Sequence, residues 1–114
     1  MGENVQDFLA KFKVEADKMR QLSPDMTMAF MALFGKVMKQ GALTVKQKEL
    51  IALGIALGVQ CTPCILLHVQ KSLDAGASKE EILEAAEVAV VMAGGPAFTN
   101  MPKVIEALES LLPG

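Results

Sequence analysis

The sequence predicts an all-α bundle, and three observations predict it. Apolar residues recur at three- and four-residue spacing along most of the 114-residue chain. No stretch alternates apolar and polar residues for long enough to make a strand. Helix start and stop signals follow one another at short intervals, among them two capping-box sequences, Thr44-Val45-Lys46-Gln47 and Ser78-Lys79-Glu80-Glu81. The expectation is a single compact domain over residues 1–114, with five to six helices and short connections.

The first helix is expected from about Asn4 to Gln21, where Val5, Phe8, Leu9, Phe12 and Ala16 fall on one face. This amphipathic helix accounts for the N-terminal segment 1–22. Ser23-Pro24-Asp25 then reads as a start, with Ser as cap and Pro at the first helical position. The second helix is expected to reach about Gln40, with Gly41 as a left-handed stop. The third begins at Val45 and ends near Gly58; its small residues Ala52, Gly54, Ala56 and Gly58 let another helix approach closely. The fourth begins at Cys61 or just after it and stops at Gly76. Pro63 is tolerable there because a first-turn N–H is unpaired anyway. A fifth helix runs from Lys79 to about Ala93. Gly94-Gly95-Pro96 breaks the chain, and a last helix runs from about Ala97 or Lys103 to Leu112.

Composition narrows the function classes. A formal charge of −2, no Trp or Tyr and five Phe give no basis for binding nucleic acid or an anionic membrane. Leu50 to Leu67 carries no charge over eighteen residues, the minimum for a membrane span. Gly58, Gln60, Thr62 and Pro63 interrupt it, so two short buried helices joined by a turn fit better. The N-terminus Met1-Gly2-Glu3-Asn4 has neither the basic nor the apolar region of a signal peptide, which predicts a cytoplasmic protein. There, a cysteine pair is more often catalytic or metal-binding than a structural staple. Residues 26–38, 50–57 and 85–93 lack a clean polar face, and so small a domain cannot enclose all of them. A homo-oligomer is therefore expected.

The chemistry gathers at Cys61-Thr62-Pro63-Cys64-Ile65-Leu66-Leu67-His68, which holds both cysteines and the single histidine. On a helix starting at Cys61, the positions of Cys61, Cys64 and His68 fall within roughly 60° of one another. The positive helix end and a nearby base both favour thiolate over thiol. Glu49 lies about as far before the Gly58-Val59-Gln60 turn as His68 lies after it. An antiparallel hairpin would let the two face each other, and the carboxylate would fix the imidazole tautomer. The resulting proton path runs from Glu49 through His68 to a thiol. One thiolate can attack a peroxide oxygen and become a sulfenic acid, and the other can condense with it to a Cys61–Cys64 disulfide. Positions i and i+3 of a helix are about 5 Å apart at Cα, within disulfide range. An external dithiol would then reduce the bridge. The residues alone leave open which thiol attacks: Cys61 is nearer the helix end, Cys64 nearer His68.

Glu49, then Cys61-x-x-Cys64-x-x-x-His68, with Gly94-Gly95-Pro96 downstream, resembles the alkylhydroperoxidase AhpD-like proteins of the carboxymuconolactone decarboxylase superfamily. The resemblance covers about residues 25–112 and matches chiefly the catalytic half of the best-known members. Pro63 stands where those proteins carry a His between the cysteines. It implies an all-α, oligomeric fold, a trimer or hexamer, acting as a thiol-dependent peroxidase or disulfide reductase. By position, Cys64 would be the peroxide-attacking cysteine, Cys61 its disulfide partner, and Glu49 and His68 the proton relay. In the best-known members a lipoyl-bearing protein supplies the electrons to the redox-active disulfide, and no bound cofactor is implied. The decarboxylase branch lacks the cysteine pair, so the pair argues against lactone decarboxylation. From the residues themselves, Cys61, Cys64, His68 and Glu49 could instead supply four ligands to a structural zinc, although the second ligand pair of a finger is missing. A non-enzymatic oligomeric scaffold is the third reading.

Overall fold

The two capping boxes set the ends of the central helices. In the computed structural model, which describes residues 5–113, Thr44 Oγ1 accepts from the Gln47 N–H while the Gln47 side chain accepts from the Thr44 N–H. Ser78 and Glu81 repeat the arrangement. They open α3 (Val45–Gly58) and α5 (Lys79–Ala93). Lys46 and Glu81 pair at 3.0 Å, so both helices start at the same end of the molecule. Between them in sequence, α4 (Thr62–Asp74) runs back antiparallel, and Gly76 closes it at φ +94°.

Around this trio lie α1 (Val5–Leu22), α2 (Pro24–Met38), the single-turn α6 (Gly95–Phe98) and α7 (Met101–Leu111). Among the described residues there is no strand. The core is one cluster drawn from α3 to α7 with Val5 of α1; Leu53, Leu57, Ile65, Val69, Ile82 and Val104 are fully enclosed. The small residues of α3 serve the close approach expected of them: a Cβ on Gly54 would lie 3.7 Å from the Ala85 carbonyl of α5. No helix among the described residues is long and apolar enough to cross a membrane.

Three boundary expectations need correction. First, α2 ends at Met38, and Gly41 is not left-handed; the chain turns extended at Lys39. Lys48 Nζ donates to the Val37 and Lys39 carbonyls, each at 2.7 Å, so a side chain from α3 satisfies the helix end that a glycine turn was expected to close. Second, Ser23 occupies the N-cap of α2 but makes no side-chain cap bond. Third, the last helix is two pieces. Gly94 sits at φ +79°, ψ −150°, a conformation open chiefly to glycine, and the chain re-enters helix at once for a single turn. Pro102 then takes the first turn of α7, where its lack of an N–H costs no helical bond. The start of the first helix at Asn4 lies outside the described residues.

Candidate active site

Cys61 is the N-cap of α4. Its Sγ accepts a hydrogen bond from the Cys64 N–H at 3.3 Å, the capping role usually taken by a serine or aspartate oxygen. Its backbone is extended, which ends the α3–α4 turn; the residue before it, Gln60, has φ +60°. Pro63 falls in the first turn, as its chemistry requires. Cys61 and Cys64 form a disulfide with Cα atoms 5.2 Å apart, and both are partly exposed.

One turn further, His68 is 8% exposed and Glu49, from α3, is 5% exposed. His68 Nδ1 lies 2.8 Å from Glu49 Oε1. With Glu49 as a carboxylate, Nδ1–H is the donor and Nε2 is left as the nitrogen that can accept a proton. The hairpin thus places the two residues face to face, each charge-bearing group satisfied by the other inside an apolar body. Such a pair is costly to bury and gives little net stability, which directs attention to its chemistry.

Three further side chains complete the surroundings, and the sequence pattern assigns none of them to the site. Phe34 of α2 stacks on the His68 imidazole, with centroids 6.2 Å apart and planes 21° from parallel. Lys71 Nζ lies 4.7 Å from the Phe34 ring centroid. Lys103 of α7 donates a hydrogen bond to Thr62 Oγ1, between the two cysteines. Local spacing carries no signal for Phe34 or Lys103, because each reaches the site from another helix; Lys71, at i+3 from His68, was visible only as a neighbour on the same helix. Among the described residues, no three His, Cys, Asp or Glu side chains converge as a metal site would need.

The fold and this site define a helical thiol–disulfide protein: a CxxC bridge at a helix start, backed by a buried carboxylate–imidazole pair. The model of the carboxymuconolactone decarboxylase family matches residues 24–107, and the chain belongs to that family. It is 39% identical over 83 residues to uncharacterized protein 4 in the cox locus of Paracoccus denitrificans, covering 73% of this chain and 75% of that one. A family member from Legionella pneumophila superposes with a TM-score of 0.88 at 34% identity, over 93% of this chain and 95% of its own. A Thermotoga maritima member, for which a role in the antioxidative response has been suggested, superposes with a TM-score of 0.83 at 30% identity, over 90% and 88% of the two chains.

Proposed function

We propose that this protein is a thiol-dependent peroxidase that cycles through the Cys61–Cys64 disulfide. One observation carries the reading: the disulfide caps the same helix on which, one turn later, a buried His68 is paired with Glu49. The suggested antioxidative role of the Thermotoga maritima relative points the same way.

In the reduced protein Cys64, nearer His68 in sequence, is the attacking thiol. His68 takes its proton at Nε2, with Glu49 stabilising the imidazolium that forms. The Cys64 thiolate attacks the distal peroxide oxygen and the O–O bond breaks. Cys64 becomes a sulfenic acid, and the alkoxide leaves as an alcohol with the proton from His68. The Cys61 thiolate then attacks the Cys64 sulfur, closing the disulfide and expelling hydroxide, which takes up a solvent proton and leaves as water. A small dithiol, free or carried as a lipoyl group, returns two electrons by thiol–disulfide exchange and itself becomes a disulfide. No bound cofactor is needed, because the one electron pair of each turnover passes through sulfur.

A second copy of the chain is the partner we propose for its bare apolar surface. Met26, Met28, Phe30, Met31, Leu33 and Val37 of α2 are each 54–61% exposed. Ile51 and Ile55 of α3 and Val88, Val91 and Met92 of α5 are at least half exposed. Together these side chains leave on the order of 1,000 Å² of apolar surface uncovered, which a second copy could bury.

The experiment is peroxide consumption with dihydrolipoamide as reductant. Cys64→Ser should abolish turnover, Cys61→Ser should stall after one equivalent of peroxide, and His68→Gln should lose about 10²-fold or more. Full turnover by Cys64→Ser would overturn the assignment of the attacking thiol.

A further inference from the structure

A cation reaches the start of α4, the turn that carries the disulfide, and neither the sequence pattern nor the peroxidase reading calls for it. Lys103 lies near the start of α7, and its Nζ donates to the hydroxyl of Thr62, 41 residues away in sequence. Thr62 is the first residue of α4 and sits between the two cysteines. Lys103, Thr62, Cys61 and Cys64 are all only partly exposed, so this ammonium is not a freely solvated one. Its place is fixed by packing: the next residue, Val104, is fully buried, and so is Ala107 one turn on.

Other cations near the core are engaged elsewhere. Lys46 pairs with Glu81, Lys48 closes the end of α2, and Lys71 lies over Phe34. Among the described residues Lys103 has no carboxylate partner; its hydrogen bond goes to Thr62.

We infer that Lys103 is a positioning residue for the redox pair: held by Thr62 at the start of α4, its ammonium favours the thiolate of Cys61 in the reduced protein. Two sources of positive potential then favour a Cys61 thiolate: the N-terminal end of α4, whose Cys64 N–H already donates to the Cys61 sulfur, and the Lys103 charge. Among the described residues, no other ionisable group is ion-paired with Lys103. Glu49 and His68 satisfy each other, Glu81 faces Lys46, and the charged side chains on α1, the rest of α5 and the remainder of α7 are exposed.

The consequence is a disulfide that is easier to reduce. When a dithiol reduces the bridge, the S–S bond breaks, two electrons enter, and the donor closes to its own disulfide. If Cys61 emerges as a thiolate, one proton fewer is taken up, and the reduced form is favoured. A standing Cys61 thiolate also meets the Cys64 sulfenic acid without waiting for deprotonation. That last point rests on the peroxidase reading; the thiolate and the disulfide equilibrium do not.

The test uses reduced protein in a Cys64→Ser background, where thiolate absorbance reports Cys61 alone, and the disulfide equilibrium with glutathione in the two-cysteine protein. Lys103→Met should lower the Cys61 thiolate-to-thiol ratio about tenfold at fixed pH. It should also shift the glutathione equilibrium about tenfold toward disulfide, about 30 mV for a two-electron couple. Lys103→Arg should restore both values. Lys103→Gln, which keeps a donor for Thr62 but no charge, should behave like Lys103→Met, and it decides the matter if Lys103→Met fails to fold. Unchanged titration and equilibrium in a folded Lys103→Gln protein would overturn the inference. A wild type that passes these tests yet consumes no peroxide would sink the peroxidase reading and leave this one standing.

Discussion

Each helix of the α3–α4 hairpin is about as long as α2, and α2 is the more apolar, yet they meet opposite fates. The hairpin buries Leu53, Leu57, Ile65 and Val69 completely and encloses an ionisable pair among them. Helix α2 buries only Thr27, whose hydroxyl donates to the Met19 carbonyl at the α1–α2 corner, and leaves most of its Met and Phe side chains bare. The comparison separates two uses of apolar sequence. In the hairpin it encloses a carboxylate–imidazole pair; in α2 it makes a surface. The two touch where Phe34 leans over His68, so the exposed helix also roofs the site.

The comparison breaks most readily by truncating one side chain in each region. Leu53→Ala should cost about 2–5 kcal/mol in denaturant melts, because a fully enclosed side chain leaves a cavity. Leu33→Ala should cost no more than about 0.5 kcal/mol to the subunit's own fold. Leu33→Asp should instead dissociate the proposed assembly, read as a fall in mass by sedimentation. A wild type that sediments as a monomer at micromolar concentration would remove the second-copy proposal.

Glu49→Gln probes the enclosed pair itself. It keeps the shape but removes the charge that orients His68, and should destabilise by about 1–3 kcal/mol. Turnover should fall well beyond what that loss of fold explains. Equal, small losses of stability and rate would recast Glu49 as structural.

A modest effect lies at the helix starts. Ser78→Ala should cost about 1 kcal/mol. The Ser78 backbone N–H first, and Lys46 second, hold the Glu81 carboxyl below its usual value. A carboxyl lowered in the folded state stabilises at neutral pH, and this contribution fades as the pH falls through and below the ordinary carboxylate range. The difference in melting temperature between wild type and Glu81→Gln should therefore shrink on acidification.

Much of this was legible beforehand, and for a definable reason. Capping boxes, Pro63 in a first turn and Gly76 after a last one act within a few residues, so their positions in sequence are their positions in space. The same holds for Cys61, Cys64 and His68, which share one helix. Glu49 was within reach because a short turn makes the hairpin register countable. Gly41 was misread because Lys48, a side chain from the next helix, took over the carbonyls that the glycine was expected to serve.

By itself, then, the sequence determined the helices, their order and the thiol–imidazole spacing, since these follow from backbone geometry and nearest neighbours. Only tertiary structure decided that Lys103 would reach Thr62, that Phe34 would cover His68, and that the apolar residues of α2 would face outward. Those outcomes depend on how whole helices pack, and no local pattern encodes the distance between residues that folding alone brings together.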